Sequence, residues 1–261
     1  MELLLWILIF SLLGGVLSVL VASVFLLIPQ HIREQILPHS VSFAIGALLG
    51  AAFLALLPHA ISSPQVTDVH LLTTTVLIGL MLFFVLEKMV LWRHCHSHEC
   101  EAHTLDEHHD HKGVSSSLMI LVGDGLHNFV DGVLIAAAFM TDFHLGVVTA
   151  LAVAAHEIPQ EVGDFIVLLK GGLSRGKALL FNILSSLTTL LGAVLAYFSF
   201  SSLEVALPYV LAIAASSFIY IAVADLIPGL HTRTRLRDGM TQIVLIVSGI
   251  AVIYLAHSTL H

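Results

Sequence analysis

Long apolar segments separated by short polar connections run through almost the whole chain. Each segment has about the 20 residues that an α-helix needs to cross the hydrocarbon core of a bilayer. The connections are rich in Pro, Gly, Ser and Asp, which favour turns. The pattern predicts an all-α integral membrane protein with a single membrane domain over residues 1–261. The eight predicted transmembrane helices are Leu3–Ile28, His39–Ile61, Val69–Trp92, Ser115–Met140, Leu145–Leu169, Lys177–Phe200, Val205–Pro228 and Met240–Ala256.

The composition supports this class. The chain is 57% hydrophobic and 11% charged, with a mean hydropathy of +0.98, whereas a soluble domain has about 25% charged residues. The formal charge is -8 and no basic patch contains interleaved aromatic residues, so nucleic acid is not expected as a partner. The first apolar segment is too long for a signal-peptide core and lacks a basic leader, so we expect it to be retained.

The positions of Lys and Arg predict the orientation of the helices. Because cytoplasmic loops are enriched in these residues, the odd-numbered connections are predicted to be cytoplasmic and both termini to face outward, in the cell membrane. The even-numbered connections contain no Lys or Arg. The ten basic residues, all in or beside odd-numbered connections, are Arg33, Lys88, Arg93, Lys112, Lys170, Arg175, Lys177, Arg233, Arg235 and Arg237.

The third connection, residues 93–113, is long and rich in side chains that bind metals. Imidazole, thiolate and carboxylate are groups that ligate Zn²⁺ and related ions. Their spacing matches no closed zinc finger, so we predict loose, multi-site binding in the cytoplasm, with both cysteines reduced. The alternative is a solvated acidic loop without a metal role. The predicted loop ligands are His94, Cys95, His96, His98, Cys100, His103, His108, His109 and His111.

Ionisable side chains form two polar stripes inside the fourth and fifth apolar segments. At 100° per residue, Asp124, His127 and Asp131 lie within roughly 60° of one another, and Asn128 lies beside them. The stripe on the fifth segment covers roughly 140° by the same arithmetic. Its members are His156, Glu157, Gln160, Glu161 and Asp164.

The two stripes are expected to face each other near the middle of the membrane. Residues 141–144 form a short connection, so the two helices should be antiparallel neighbours, and transporter sites lie at this depth. A charged residue at the bilayer centre costs roughly 2.5–3.5 kcal/mol, and bound metal cations would compensate several such residues. A buried hydrogen-bond network that only joins the helices is the alternative. Gly132 and Gly163 are predicted to allow close helix approach beside the site.

The two stripes resemble motifs of the ZIP (Zrt/Irt-like) family of divalent metal transporters. The sequence H-N-F-V-D-G begins at His127, and H-E-I-P-Q-E-V-G-D begins at His156. Eight spans, outward termini and a His-rich third connection extend the resemblance over the whole chain. The fifth-span motif is similar to the branch that reads H-E-x-P-H-E-x-G-D, and the compact chain resembles a prokaryotic-type member.

The resemblance implies a 3+2+3 arrangement of the helices, uptake by alternating access, and a paired metal site. The implied ligands are His127, Asp131, His156 and Gln160 for one position, and Asn128, Asp131 and Glu157, with Glu161 as a candidate addition, for the other.

Several residues depart from the family pattern. Gln160 stands where this branch often has His. Ala51 and Ala55 occupy second-span positions where relatives often have polar residues, so His59 becomes a candidate for the uptake pathway, with an interfacial role as the alternative. In the seventh span, Asp225 is a candidate pathway carboxylate or a helix-end group. The candidate pathway residues are His59, Asp124, Asp164 and Asp225.

The favoured hypothesis is a carrier that moves a divalent transition metal, foremost Zn²⁺, into the cytoplasm. Imidazole and carboxylate ligands also suit Fe²⁺, Mn²⁺, Co²⁺ or Cd²⁺ as substrates. Because protons compete with metal for imidazole, uptake should depend on pH. The predicted partners are metal ions and the lipid bilayer, and a homodimer is an open option.

Three alternatives stay open. An exporter of the cation-diffusion-facilitator type also uses H-x-x-x-D, which His127 and Asp131 fit, although eight spans without a soluble C-terminal domain disfavour it. An intramembrane metalloprotease is disfavoured because Gln160 replaces the second imidazole of H-E-x-x-H, and no enzyme activity is predicted. A metal sensor without transport would bind the ion and show no flux.

Overall fold

The computed structural model describes residues 2–94, 113–231 and 236–260, and every regular element in these ranges is helical. The predicted all-α class is therefore confirmed. The predicted loop ligands from Cys95 to His111 lie outside the described residues. The backbone of His94 is described, and it ends a helix.

Within the described ranges, eleven α-helices follow one another along the chain. They are α1 Glu2–Gly14, α2 Val16–Phe25, α3 Gln30–Gly50, α4 Leu57–Ser62, α5 Val69–His94, α6 Gly113–Thr141, α7 Phe143–Lys170, α8 Arg175–Phe200, α9 Leu207–Tyr220, α10 Ile227–Leu230 and α11 Leu236–Leu260. The π-helical segments Ala51–Leu56 and Ile221–Leu226 join α3 to α4 and α9 to α10. A 3₁₀ turn, Glu204–Ala206, precedes α9.

Seven helical segments of the described chain are long and apolar enough to cross a membrane. They are Glu2–Phe25, Gln30–Ser62, Val69–Lys88, Leu121–Thr141, Arg175–Phe200, Glu204–Leu230 and Leu236–Thr259. The predicted fifth span corresponds to α7, which has 28 residues and carries the second polar stripe but is not one of the seven. The multi-pass membrane class is confirmed, and the count of eight crossings stays a prediction.

The first predicted connection, Pro29 to Pro38, is wrong as a loop because it is helical. The helix α3 begins at Gln30 and continues through Pro38, which removes one backbone hydrogen bond without ending the helix. The residues between the two prolines include Glu, Gln and Leu, which are good helix formers. The side chain of Gln30 also donates a hydrogen bond of 2.8 Å to Glu34, one turn further on. The second span is therefore extended by a polar helical end.

Two spans share an unusual local geometry. In each, a six-residue π-helical segment ends two residues before a proline, Pro58 in one case and Pro228 in the other. A proline has no N–H to donate and its ring crowds the preceding turn, so a wider turn before it relieves the clash. Single π turns of this kind occur frequently at functional sites. His59 directly follows the first proline, and Asp225 lies inside the second π-helical segment.

The helices α6 and α8 pack with their backbones in close approach. A Cβ atom on Gly132 would lie 1.9 Å from the carbonyl oxygen of Thr189, and one on Gly192 would lie 2.1 Å from that of Phe129. Small residues at such crossings allow membrane helices to meet this closely. The predicted role of Gly132 therefore holds, with α8 as the partner. The same prediction for Gly163 is wrong, because open space surrounds it.

Candidate metal centre

Four ligand-type side chains from α6 and α7 converge in the interior. They are His127, Asp131, His156 and Glu157, and one ligand atom from each lies within 4.8 Å of all the others. The Nε2 atoms of the two histidines are 3.2 Å apart. Asp131 Oδ2 lies 3.2 Å from His156 Nε2, and Glu157 Oε1 lies 3.3 Å from His127 Nε2. The two stripes thus face each other, as their spacing predicts.

The backbone fixes which nitrogen of His156 faces the centre. Its Nδ1 lies 3.0 Å from the carbonyl oxygen of Ala152, one helical turn earlier. A carbonyl oxygen can only accept, so Nδ1 carries the proton in the neutral ring and Nε2 presents its lone pair to the centre. Histidines that bind metals commonly hold their second nitrogen in this way.

The carboxylates of the centre are buried without hydrogen-bond donors. The side chains of Asp131 and Glu157 are 1% and 0% exposed. Among the described residues, neither carboxylate has a hydrogen-bond partner, and the imidazole nitrogens of the centre lie 3.2–3.3 Å from them. Burying an ionised carboxylate without a partner costs several kcal/mol or more. A cation bound between the four side chains would remove this cost.

A second group of carboxylates continues from the first. Asp124, Glu157 and Glu161 each offer an oxygen within 4.8 Å of the others, and all three residues are buried. Ser186 on α8 donates a hydrogen bond of 2.8 Å to one oxygen of Glu161. The second oxygen of Glu161 and one oxygen of Asp124 have no hydrogen-bond partner in the described parts of the chain. Glu157 belongs to both groups and connects them.

Asn128 connects the second carboxylate group to α8 through its side-chain amide. Its amide nitrogen donates to the Asp124 carboxylate at 2.9 Å, and its amide oxygen accepts from the Thr189 hydroxyl at 2.9 Å. An amide oxygen has two lone pairs, so the bond from Thr189 leaves one lone pair of Asn128 for a metal ion. Asn128 therefore stays a predicted ligand of the second position.

A cavity of about 420 Å³ opens beside the centre. It lies between α5, α6, α7 and the α9 region, and His127 is part of its wall. Its polar lining consists of Glu87, Asp124, His127, Gln160, Asp164, Tyr220 and Asp225. The carboxylates lie towards the helix ends that carry the odd-numbered connections. Gln160, predicted as a ligand, thus lines the cavity that leads to the four-residue centre.

Of the candidate pathway residues, His59 lies elsewhere. It does not line the cavity, and its ring packs edge-on against His257 at the end of α11, with ring centroids 5.2 Å apart. Asp124, Asp164 and Asp225 all line the cavity.

The sequence interpretation missed the contribution of α8 and of one cavity wall. Ser186 and Thr189 hold Glu161 and Asn128, and at the cavity the Tyr220 hydroxyl donates to Glu87. The four hydroxyl residues between 185 and 189 in an otherwise apolar span were the signal that could have identified α8, because hydroxyls at this spacing form one polar face.

Comparison with known proteins identifies the family of this chain. The family model described as ZIP Zinc transporter matches residues 2–257. The chain is 32% identical to the zinc transporter ZIP13 of Danio rerio over 264 residues, which cover 85% of this chain and 76% of that protein. It is 39% identical to the zinc transporter foi of Drosophila melanogaster over 138 residues, or 52% of this chain and 19% of that protein.

A third relative, the zinc transporter ZIP6 of Homo sapiens, is 38% identical over 133 residues, which cover 51% of this chain. The matched regions span only about a fifth of the length of foi and ZIP6. The match to ZIP13 and the family match extend over most of the chain. This chain belongs to the ZIP zinc transporter family.

Proposed function

We propose that this protein carries a divalent transition metal, foremost Zn²⁺, into the cytoplasm through the centre between α6 and α7. The observation that carries the proposal is the convergence of two imidazoles and two carboxylates within 4.8 Å at a buried position. Relatives named zinc transporters support the same cargo.

Charge balance and ligand type favour a divalent transition metal. The carboxylates of Asp131 and Glu157 carry two negative charges, which one divalent cation neutralises while the imidazoles of His127 and His156 stay neutral. A monovalent ion would leave a buried negative charge. Imidazole with carboxylate suits Zn²⁺ and also Fe²⁺, Mn²⁺, Co²⁺ and Cd²⁺, whereas Mg²⁺ prefers oxygen ligands and retained water.

The second carboxylate group offers the ion its next position. Asp124, Glu157 and Glu161 supply only oxygen ligands, and Glu157 is shared with the first position. An ion can therefore move between the two positions without losing all its protein ligands at once. Asn128, bonded to both Asp124 and Thr189, keeps Asp124 directed towards this position.

The position of the cavity supports release of the ion on the cytoplasmic side. Its carboxylates, including Asp164 and Asp225, lie between the two ligand groups and the ends of the helices that carry the basic connections. Because basic connections are cytoplasmic in most membrane proteins, an ion released into this cavity reaches the cytoplasm. The loop of residues 93–113 belongs to the same face, and we assign to it the buffering or reception of arriving metal.

Contacts at the opposite face support eight crossings. His59 ends the second span and His257 lies near the end of the eighth, yet their rings are in contact. Two helix ends on one face require an even number of crossings between them. The six predicted spans that follow His59 satisfy this condition only if α7 also crosses. A homodimer stays a prediction.

The test is zinc influx into proteoliposomes that contain a zinc-sensitive dye. Wild-type protein should produce influx, and His156→Ala should reduce it to the level of empty vesicles, because it removes one of two imidazoles from the centre. Deleting residues 94–111 should leave influx measurable. The matched control is His70→Ala, since His70 is an exposed histidine on α5.

Two results would contradict the proposal. Zinc binding by the wild-type protein without influx would indicate a sensor. Influx that survives His156→Ala but is lost on deleting the loop would move the transport site out of the α6–α7 centre.

A further inference from the structure

A second pair of histidines lies at the opposite face from the cavity. His59, at the end of α4, and His257, near the end of α11, come from helices far apart in sequence. Both rings are half-buried. We call these two residues the outer pair, and His127 with His156 the inner pair.

The outer pair has nearly the same geometry as the inner pair. Its ring centroids are 5.2 Å apart with planes at 71°, against 5.4 Å and 78° for the inner pair. His59 also holds its Nδ1 3.0 Å from the carbonyl oxygen of Ala55, one turn earlier, as His156 does with Ala152. The Nε2 lone pair of His59 is thereby fixed in the orientation that metal-binding histidines adopt.

A carboxylate and a third imidazole lie at the same face. Asp142 caps α7 by accepting from the backbone N–H of Leu145 at 2.9 Å, and its Oδ1 lies 3.8 Å from His144 Nδ1. Partial burial raises the pKa of Asp142, but the N–H groups of Leu145 and His144 and the nearby His144 and His59 rings together bring it below its usual value. Asp142 is therefore an ionised carboxylate within electrostatic reach of His59.

We propose that His59 and His257, assisted by Asp142, form a second binding site for a divalent transition metal at this face of the membrane. Two imidazoles are ligands that Zn²⁺ and its neighbours accept, water completes the coordination because the site is half-open, and the negative charge of Asp142 acts on His59 from nearby. Binding at the outer pair does not depend on transport. Its role as the site that captures the ion before uptake rests on the function proposed above.

Binding is tested by histidine modification on the full-length protein in detergent. Diethyl pyrocarbonate labels accessible imidazoles, and peptide mass spectrometry reads each position separately. We expect Zn²⁺ to slow the labelling of His59 and His257 in the wild type and equally in His156→Ala, which lacks an inner ligand. Exposed His70 serves as the internal control and should be labelled at the same rate with and without Zn²⁺.

Substitution of one member tests whether the pair acts together. In His59→Ala the protection of His257 should be lost, and in His59→Cys it should return, because a thiolate also ligates Zn²⁺. If Zn²⁺ does not change the labelling rate of His59 and His257 in the wild type, the proposed site is wrong. Full protection of His257 in His59→Ala would overturn the pairing.

The capture role is tested by the zinc dependence of influx. For His59→Ala combined with His257→Ala, the zinc concentration that gives half-maximal influx should rise about tenfold, the lower end of what weakened metal binding costs, and His70→Ala should not change it. An unchanged value would overturn the capture role. Zinc protection of the outer pair without any influx by the wild type would instead contradict the proposed transport and leave the outer site standing.

Discussion

The inner and outer histidine pairs have the same ring geometry in very different surroundings. Both place two imidazoles edge to face at similar separations, and in both one Nδ1 is bonded to a carbonyl oxygen one turn earlier. The inner pair has Asp131 and Glu157 at its nitrogens, almost fully buried. At the outer pair, the partly exposed carboxylate of Asp142 acts electrostatically on His59. The two pairs therefore share their ring arrangement but differ in the burial and charge around the rings.

This difference predicts different chemistry for the two sites. At the inner pair, the buried carboxylates of Asp131 and Glu157 would replace the water that a metal ion must lose, and their charges would offset that of the ion. At the outer pair the ion keeps part of its water shell, so binding should be weaker and exchange faster. Variants that change the residues around one pair and not those around the other test this comparison.

The largest effect is expected from Asp131→Asn. The substitution preserves size but removes one of two negative charges from the inner pair, so influx should fall by more than roughly 100-fold, beyond the range typical for residues that only support metal ligands. Influx in proteoliposomes measures the change. Zinc protection of His59 and His257 in the same protein should be unaffected.

Near-normal influx by Asp131→Asn would contradict the charge argument. Loss of protection at the outer pair would show that the two sites are not independent, and size-exclusion chromatography of the purified variant controls for misfolding.

The next largest effect concerns the helix contact behind the inner pair. In Gly132→Ala the new methyl group would overlap the Thr189 carbonyl oxygen, 1.9 Å away, so α6 and α8 must separate. Overpacking of this kind costs about 1–3 kcal/mol, and we expect a lower thermal unfolding temperature in detergent together with weaker zinc binding at the inner pair.

Gly163→Ala on α7 is the matched control, because open space surrounds Gly163. It should leave the unfolding temperature unchanged or raise it slightly, since Ala favours a helix interior over Gly. Equal destabilisation by both substitutions would contradict the role given to the α6–α8 contact.

A smaller effect is expected from Thr189→Val, which keeps the shape and removes the hydroxyl that donates to Asn128. Asn128 would then hold Asp124 less firmly, and the zinc concentration for half-maximal influx should rise about tenfold, as for other residues that orient metal ligands. Thr74→Val is the control, because Thr74 is exposed and its hydroxyl donates to the backbone of α5. An equal response of the two variants would contradict the role of α8 in supporting the centre.

These sites also show how much the sequence can predict. The apolar segments and the two stripes follow from local periodicity, because membrane helices are long and their polar residues must share a face. The outer pair could not be found in this way. His257 is one polar residue near the end of an apolar span, and only the packing of α11 beside α4 brings it to His59.

The role of α8 could not be predicted either, because its contacts depend on helix packing. Serine and threonine are common in membrane helices, where they often bond to their own backbone, as Ser185 does with Asn182. Only the three-dimensional contact distinguishes Ser186 and Thr189, which bond to the centre, from such residues. The helical first connection does not follow from the sequence pattern, because a proline usually marks a helix boundary, whereas α3 continues through Pro38 at the loss of one backbone hydrogen bond.

The smallest effect is expected from Asp142→Asn. Asparagine caps a helix about as well as aspartate, so α7 should begin as before and influx at saturating zinc should not change. The outer pair loses a nearby negative charge, and an exposed charge interaction is worth about 1 kcal/mol at most. Half-maximal protection of His59 and His257 should therefore need only a few times more zinc.

Solution pH separates this charge effect from ligand loss. Because the pKa of Asp142 lies below its usual value in the folded protein, its charge and the stability that depends on it are present above the ordinary aspartate range and are lost only as the pH falls below it. Imidazoles lose metal to protons in milder acid. In mild acid, zinc binding at the outer pair should weaken equally in the wild type and in Asp142→Asn. The ratio of their zinc concentrations for half-maximal protection should thus stay constant. If the two zinc concentrations became equal in mild acid, the effect would be assigned to His144, the neighbour of Asp142, and not to the carboxylate.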